Sequence, residues 1–177
     1  METPYNLDTA IRKVPGFPRP GVLFYDITGI LIDPIAFAYC IDQMVMRYMD
    51  DEIEAVVAIE SRGFLFAAPF ALRRGIPLIL ARKKGKLPGE TVGRKFSLEY
   101  GEDTIEIKKV DLERKRRILI VDDLIATGGT IQAVVELIRE LGSTVVGVFC
   151  VIGLPFLDYQ RQLGDLTVST LIDYHGE

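Results

Sequence analysis

Apolar residues fall along this chain in short blocks separated by polar turns, and the blocks change period. Four are nearly continuous: "AVVAI" (55–59), "PLILA" (77–81), "ILIV" (118–121) and "TVVGVFCVI" (144–152). An apolar run without polar alternation predicts a strand buried on both faces, as in parallel sheets. Between these runs the spacing turns helical. Asp33-Pro34 reads as an N-cap followed by a first helical residue, opening a helix that runs to about Met49. Ile35, Ala38, Tyr39, Ile41, Val45 and Tyr48 predict its broad apolar face. Residues 63–75 predict a helix stopped by Gly75, with Pro69 kinking it or shifting its start. Ile131, Val134, Val135, Ile138 and Leu141 hold helical spacing as far as Gly142. "KFSLEY" and "TIEIKK" flank "GED" and predict a hairpin. Strands alternating with helices predict an α/β fold, with a central, mainly parallel sheet flanked by helices on both faces.

Composition narrows the classes. The 177 residues carry no repeat and no linker-like segment, so one domain over 1–177 is expected. A net charge of −4 gives no overall field for nucleic acid. No apolar run approaches the roughly 18–20 residues needed to span a membrane. The N-terminal "METPYNLDTAIRK" lacks a basic region followed by an apolar one, so no secretory signal is expected. Cys40 and Cys150 sit in apolar stretches and form no CxxC, which predicts buried free thiols and a cytoplasmic protein. The single histidine, His175, is near the end, so neither a histidine triad nor a histidine metal site is expected.

The candidate chemistry follows the strands. Glu60-Ser61-Arg62 comes after the first apolar run, Arg82-Lys83-Lys84 after the second, and Asp122-Asp123 after the third. In an open parallel sheet the carboxyl ends of the strands share one edge, where ligands bind. Three clusters separate in sequence are therefore expected to meet. The acids run into "LIATGGT" (124–130), whose Gly128 and Gly129 let backbone N–H groups approach an anion at a helix N-terminus. No Glu or Gln sits three residues after Thr127 or Thr130 to close a capping box, which leaves those donors for phosphate. Neither GxxxxGK[ST] nor GxGxxG is present. Carboxylates repel a bare phosphate, so a loop for phosphate beside two acids implies a phosphorylated sugar whose hydroxyls the acids accept. "RKKGKLPGETVGRK" (82–95) holds six cations and one acid, with Gly85, Gly89 and Gly93, and reads as a mobile basic flap for a second charged group such as pyrophosphate.

Taken together, these stretches resemble the type I phosphoribosyltransferases. The apolar strand, the two acids and the TGGT loop carry the resemblance to the family as a whole. "FPRPGVLFYDIT" (17–28), "ESRGFLFAAP" (60–69), "RKKGKLPGET" (82–91) and "FSLEYG" (96–101) resemble its adenine-specific branch, in order and spacing. The resemblance implies the family fold, with a flexible flap and hairpin over 82–109 and a small N-terminal hood over 1–28. It implies transfer of a phosphoribosyl group from phosphoribosyl pyrophosphate (PRPP) to adenine, giving AMP and pyrophosphate, with Mg²⁺ held chiefly by substrate oxygens and water. It places the 5′-phosphate on Ala126, Thr127, Gly128, Gly129 and Thr130, and the ribose hydroxyls on Asp122 and Asp123. Arg62, Arg82, Lys83 and Lys86 would meet PRPP, with Arg82 reaching across a dimer interface. Leu23, Phe24, Tyr25 and Leu124 would frame adenine. Glu99 would sit near the base and, if protonated, donate to N7 as N9 attacks, beside Asp122 and Asp123 as a catalytic group. A homodimer is implied as well. Tyr25 departs from the pattern, since arginine is often expected there. Another purine base, or a non-enzymatic sensor of PRPP, remain the alternatives.

Overall fold

The computed structural model describes residues 5–97, 102–114 and 116–176. Two short strands, β1 (Arg12–Pro15) and β2 (Leu23–Asp26), form an antiparallel ribbon near the N-terminus. There follow α1 (Thr28–Ile32), α2 (Pro34–Arg47), β3 (Ala55–Ile59), α3 (Gly63–Arg74) and β4 (Leu78–Lys83). Next come β5 (Thr91–Ser97), β6 (Glu102–Lys108), β7 (Arg117–Ile125) and α4 (Gly129–Glu140). The chain ends with β8 (Thr144–Gly153), α5 (Tyr159–Leu163) and β9 (Val168–Asp173).

The main sheet has seven strands in the order β5-β6-β4-β3-β7-β8-β9. β4, β3, β7, β8 and β9 are mutually parallel, and β5 and β6 add an antiparallel edge beyond β4. The unbroken apolar runs have the predicted cause. Every residue of β3 is buried, because helices cover both faces. Val56 and Ala58 share a core with Phe66 and Phe70 of α3 and with Met44 of α2. Val57 and Ile59 share the opposite core with Ile131, Val134, Val135 and Ile138 of α4. Each fully buried branched or aromatic side chain of this kind contributes roughly 1.5–3 kcal/mol of transfer free energy.

Four details depart from the sequence reading. First, α2 starts as expected, with the Asp33 carboxylate accepting the Ile35 N–H at 2.9 Å. Its buried face, however, is Ala36, Cys40, Ile41 and Met44, while Ile35 is 70% exposed. Ile35 belongs to the first turn, where the path of the chain decides which side meets the core. Second, Pro69 lies inside α3 and does not shift its start from Gly63. Leu65, whose carbonyl loses the bond that a residue-69 N–H would donate, lies on the exposed side of the helix. Third, β7 continues to Ile125, so Asp122 and Asp123 sit within a strand rather than after it. Fourth, residues 82–95 are not one loop: Arg82 and Lys83 close β4, and residues 91–95 belong to β5, which pairs with β6 along seven register positions.

Candidate active site

The carboxyl ends of β3, β4 and β7 bring the three polar clusters to one edge. Their neighbouring order in the sheet does this directly, since β3 lies between the other two. Arg62, just before α3, puts its Nε 2.9 Å from Oδ2 of Asp123. This is a charge contact rather than an aligned hydrogen bond, because Oδ2 has no hydrogen-bond donor set on it. The pair is unequal: the Asp123 side chain is 5% exposed and that of Arg62 38%. The Arg62 guanidinium also stands 5.3 Å from the centre of the Phe24 ring, within cation–π range. It thus touches both the acidic pair and the ribbon.

Gly63 explains how the turn after β3 lies so close to β7. A Cβ there would be 2.8 Å from the Val121 carbonyl oxygen and 2.9 Å from Oδ1 of Asp122. The same Oδ1 accepts the Asp123 N–H at 2.9 Å. Burial raises the Asp122 carboxyl above its ordinary value, and the neighbouring Asp123 charge raises it further. Burial also raises Asp123, against the pull of Arg62. The site therefore stores two acids that resist ionising together.

Glu60 has the opposite electrostatics. Its side chain is 7% exposed. It meets Nη2 of Arg82 at 3.1 Å, Nζ of Lys86 at 2.8 Å and the Lys83 N–H at 2.8 Å. Burial alone would raise its pKa, but Lys86, the Lys83 N–H and Arg82 overcome that and hold it down to about 2. Arg82 also donates to the Lys86 carbonyl at 3.1 Å, and Gly85 N–H donates to Glu106 at 3.0 Å. Lys83 itself pairs with Asp103 at 2.9 Å. The basic turn at 83–86 is therefore tied to a carboxylate just after β3 and to carboxylates on β6.

α4 begins at Gly129, with Gly128 as N-cap at φ +84°. A left-handed residue is needed there, and a Cβ would also meet Tyr159 at 3.3 Å. No side chain caps this helix, so its first N–H groups lie beside the acids without a side-chain partner. A cavity of about 580 Å³ is lined by Leu124 and Ala126, just before this turn in the sequence. Leu23, Phe24 and Tyr25 line one side, and Leu124, Ala126 and Leu154 another, with Arg62 between.

The phosphoribosyl transferase domain family matches residues 27–170. The chain belongs to that family. Adenine phosphoribosyltransferase of Treponema denticola is 56% identical over 171 residues, covering 97% of this chain and 90% of that protein. Adenine phosphoribosyltransferase 1 of Triticum aestivum is 48% identical, covering 93% and 91% respectively. The crystal structure of adenine phosphoribosyltransferase from Thermoanaerobacter pseudethanolicus superposes with a TM-score of 0.92 at 40% identity, covering 95% of this chain and 98% of that one. The Saccharomyces cerevisiae enzyme, solved with an imino-altritol bisphosphate and adenine, gives 0.88 at 36% identity, covering 94% and 96%. The expected type I phosphoribosyltransferase fold is the fold of this chain.

Within that fold, Arg62 lines the cavity and pairs with Asp123, and Leu124 and Ala126, from the segment that leads into α4, line the same cavity. Arg82, Lys83 and Lys86 lie on neighbouring β4 and its turn, engaged with Glu60 and Asp103. Arg62 pairs with Asp123, and Glu60, its sequence neighbour, takes Arg82 and Lys86 instead. Glu99 lies outside the described residues. Tyr25 contributes to the cavity wall, but its residue is 3% exposed and its ring stacks on Tyr174. Sequence reading missed the partnership of Glu60 with the basic turn, and the cavity wall from Leu154 to Leu157. Residues 154–157 follow β8, on the same ligand edge as the other clusters, and that position was the available signal.

Proposed function

We propose that this protein transfers the phosphoribosyl group of PRPP to adenine, releasing pyrophosphate and forming AMP. The observation that carries the reading is that Arg62, which pairs with Asp123, lines one cavity with Leu124 and Ala126, on the segment that runs from the two acids into the uncapped N-terminus of α4. A phosphorylated sugar between a flat base and a pyrophosphate needs the acids, the cation and the helix N-terminus as neighbours. The named relatives are adenine phosphoribosyltransferases, and one solved relative carries adenine itself.

In this reading the 126–130 N–H groups and the Thr127 and Thr130 hydroxyls hold the 5′-phosphate. Asp122 and Asp123 accept from the ribose hydroxyls and place negative charge near the cation that develops as the glycosidic bond to pyrophosphate breaks. Arg62, Arg82, Lys83 and Lys86 take the leaving pyrophosphate. Glu60 then acts as the group that gathers Arg82 and Lys86 before PRPP arrives. Phe24 and Leu124 bracket the base, with Leu23 and Tyr25 along its edge. Glu99, which falls between β5 and β6 in the sequence, serves the base. Residues 1–28 act as a hood in a single domain, and residues 82–109 as flap and hairpin.

Mg²⁺ would be held chiefly by substrate oxygens and water, since among the described residues no cluster of three acids, histidines or cysteines could hold a metal ion. When bound, the ion neutralises charge on the pyrophosphate oxygens. A homodimer belongs to the same proposal: Ile32, Ile35 and Leu72 are 70%, 70% and 82% exposed, more apolar surface than α1 to α3 cover on their own. Arg82 is the group to follow across that interface. Two buried free thiols suit the cytoplasm. Among the described residues no helix is long and apolar enough to cross a membrane.

The test is base-dependent pyrophosphate release from PRPP with Mg²⁺, using adenine, hypoxanthine, guanine and xanthine, for the parent chain and Asp123→Asn. Turnover with adenine alone, lost in the variant, is the expected result. Turnover with a 6-oxopurine would reassign the base, and tight PRPP binding without turnover would make the chain a sensor.

A further inference from the structure

We propose that Tyr174, in the C-terminal tail, is a positioning residue that holds β2 and the 154–157 wall at the spacing the base requires. The inference rests on the reading of the cavity as the adenine site.

The ribbon cannot place itself. Each of its strands has four residues, every residue of β1 is exposed, and a two-stranded ribbon alone is marginal in water. Something outside the ribbon must fix Leu23, Phe24 and Tyr25. Tyr174 is built to do so. Its ring stacks on Tyr25, with centroids 4.2 Å apart and planes 17° from parallel. Lys13, which faces Tyr25 across the ribbon, places Nζ 4.9 Å from the centre of the Tyr174 ring. The Tyr174 hydroxyl donates to Asp8, and Asp8 pairs with Lys13 at 2.9 Å. Both strands of the ribbon, and the turn before it, therefore meet one side chain. The Tyr25 hydroxyl donates in turn to the Gly176 carbonyl at 3.4 Å.

The backbone of Tyr174 faces the other wall. Its N–H donates to the Gly153 carbonyl at 3.0 Å, and Leu154, the next residue, lines the cavity. One residue thus ties β2 to the start of the 154–157 segment. The site where this chain carries Tyr25 in place of the expected arginine is also where the tail is anchored. A flat ring at 25 supplies a stacking surface that a flexible cation would hold less rigidly.

The experiment is steady-state kinetics of the full chain, varying adenine and PRPP separately, for the parent, Tyr174→Ala and Tyr174→Phe. Loss of the stack is expected to raise KM for adenine roughly three- to ten-fold, with KM for PRPP unchanged. Tyr174→Phe keeps the ring and restores KM for adenine. Tyr174→Leu, which keeps apolar bulk, carries the same comparison if the alanine variant does not fold. A variant that melts earlier but leaves both KM values alone, or raises both alike, overturns the proposal, as does a phenylalanine variant no better than alanine. The parent arm reports separately on the base. If the parent prefers another purine, the adenine assignment fails and the clamp is judged by the same ratio on that purine. If the parent turns over none, the ratio is read from the affinities for AMP and PRPP.

Discussion

Replacing Asp122 by asparagine should stabilise the protein while removing its activity. Asp122 lies in β7 beside Asp123, and Arg62 pairs with Asp123. The Asp122 carboxyl is raised first by burial and then by the Asp123 charge, so ionising it costs more in the folded state than in the unfolded one. Asparagine has the same shape, and its side-chain oxygen can still accept the Asp123 N–H that Oδ1 accepts at 2.9 Å. Relief of an uncompensated, largely buried polar charge is worth about 1–3 kcal/mol, and urea unfolding measures it as a higher midpoint at constant slope. The pH dependence fixes the cause. A carboxyl whose folded pKa is raised binds more protons in the folded state from its unfolded value upward. Wild-type stability therefore falls relative to the variant as pH rises from about 4, and the difference levels off above the folded pKa. Below about pH 4 the two should coincide, because the carboxyl is protonated in both states. A stability difference of the same size at every pH, or a variant less stable near neutrality, would refute the reasoning. Turnover provides the second readout: if the ribose hydroxyls need this charge, kcat/KM falls even as the protein becomes harder to unfold.

Glu60 predicts the reverse sign. Lys86, the Lys83 N–H and Arg82 hold its pKa down to about 2, so its contribution is present above the unfolded value of about 4.3 and fades as pH falls through about 2. Glu60→Gln should cost on the order of 1 kcal/mol or less near neutrality, because Lys86 is half exposed and Arg82 partly so, and acid titration of the unfolding midpoint should show the gap closing. The same variant should raise KM for PRPP more than KM for adenine, since Arg82 and Lys86 lose the carboxylate that gathers them. Gly63→Ala should destabilise by about 1–3 kcal/mol through overpacking, because its Cβ would stand 2.8 Å from the Val121 carbonyl oxygen. Circular-dichroism melting checks this, and an unchanged melting temperature would mean that the turn before α3 can move away from β7.

Much of the site was legible before any coordinate. The apolar runs of β3, β7 and β8 announce strands covered on both faces, and Gly128-Gly129 before a helix-spaced segment announces a helix start without a side-chain cap, because both signals are local. The meeting of Arg62, Asp122 and Asp123 was also foreseeable, since topology places all carboxyl ends of parallel strands on one edge. The extent of β7 through the acids was not. A strand continues for as long as its neighbour offers hydrogen-bond partners, and β8 pairs with it as far as Ile125.

Which charges pair was decided by tertiary structure alone. Arg62 and Glu60 are neighbours in sequence, yet Arg62 turns to Asp123 while Glu60 takes Arg82 and Lys86 from β4 and its turn. Ion pairing depends on distances of a few ångströms between side chains far apart in the chain, and periodicity carries no such information. The same holds for the tail. "LIDYHGE" reads as an ordinary end to a strand, and Tyr174 gains its meaning only from Tyr25, which the fold brings to stacking distance. The sequence by itself determined the layers, the sheet edge where the charged clusters meet and the glycine turn before α4, because each follows from a local pattern of polarity and backbone freedom. The partners of Glu60, Arg62 and Tyr174 were settled by packing, because those contacts exist only after the chain has closed on itself.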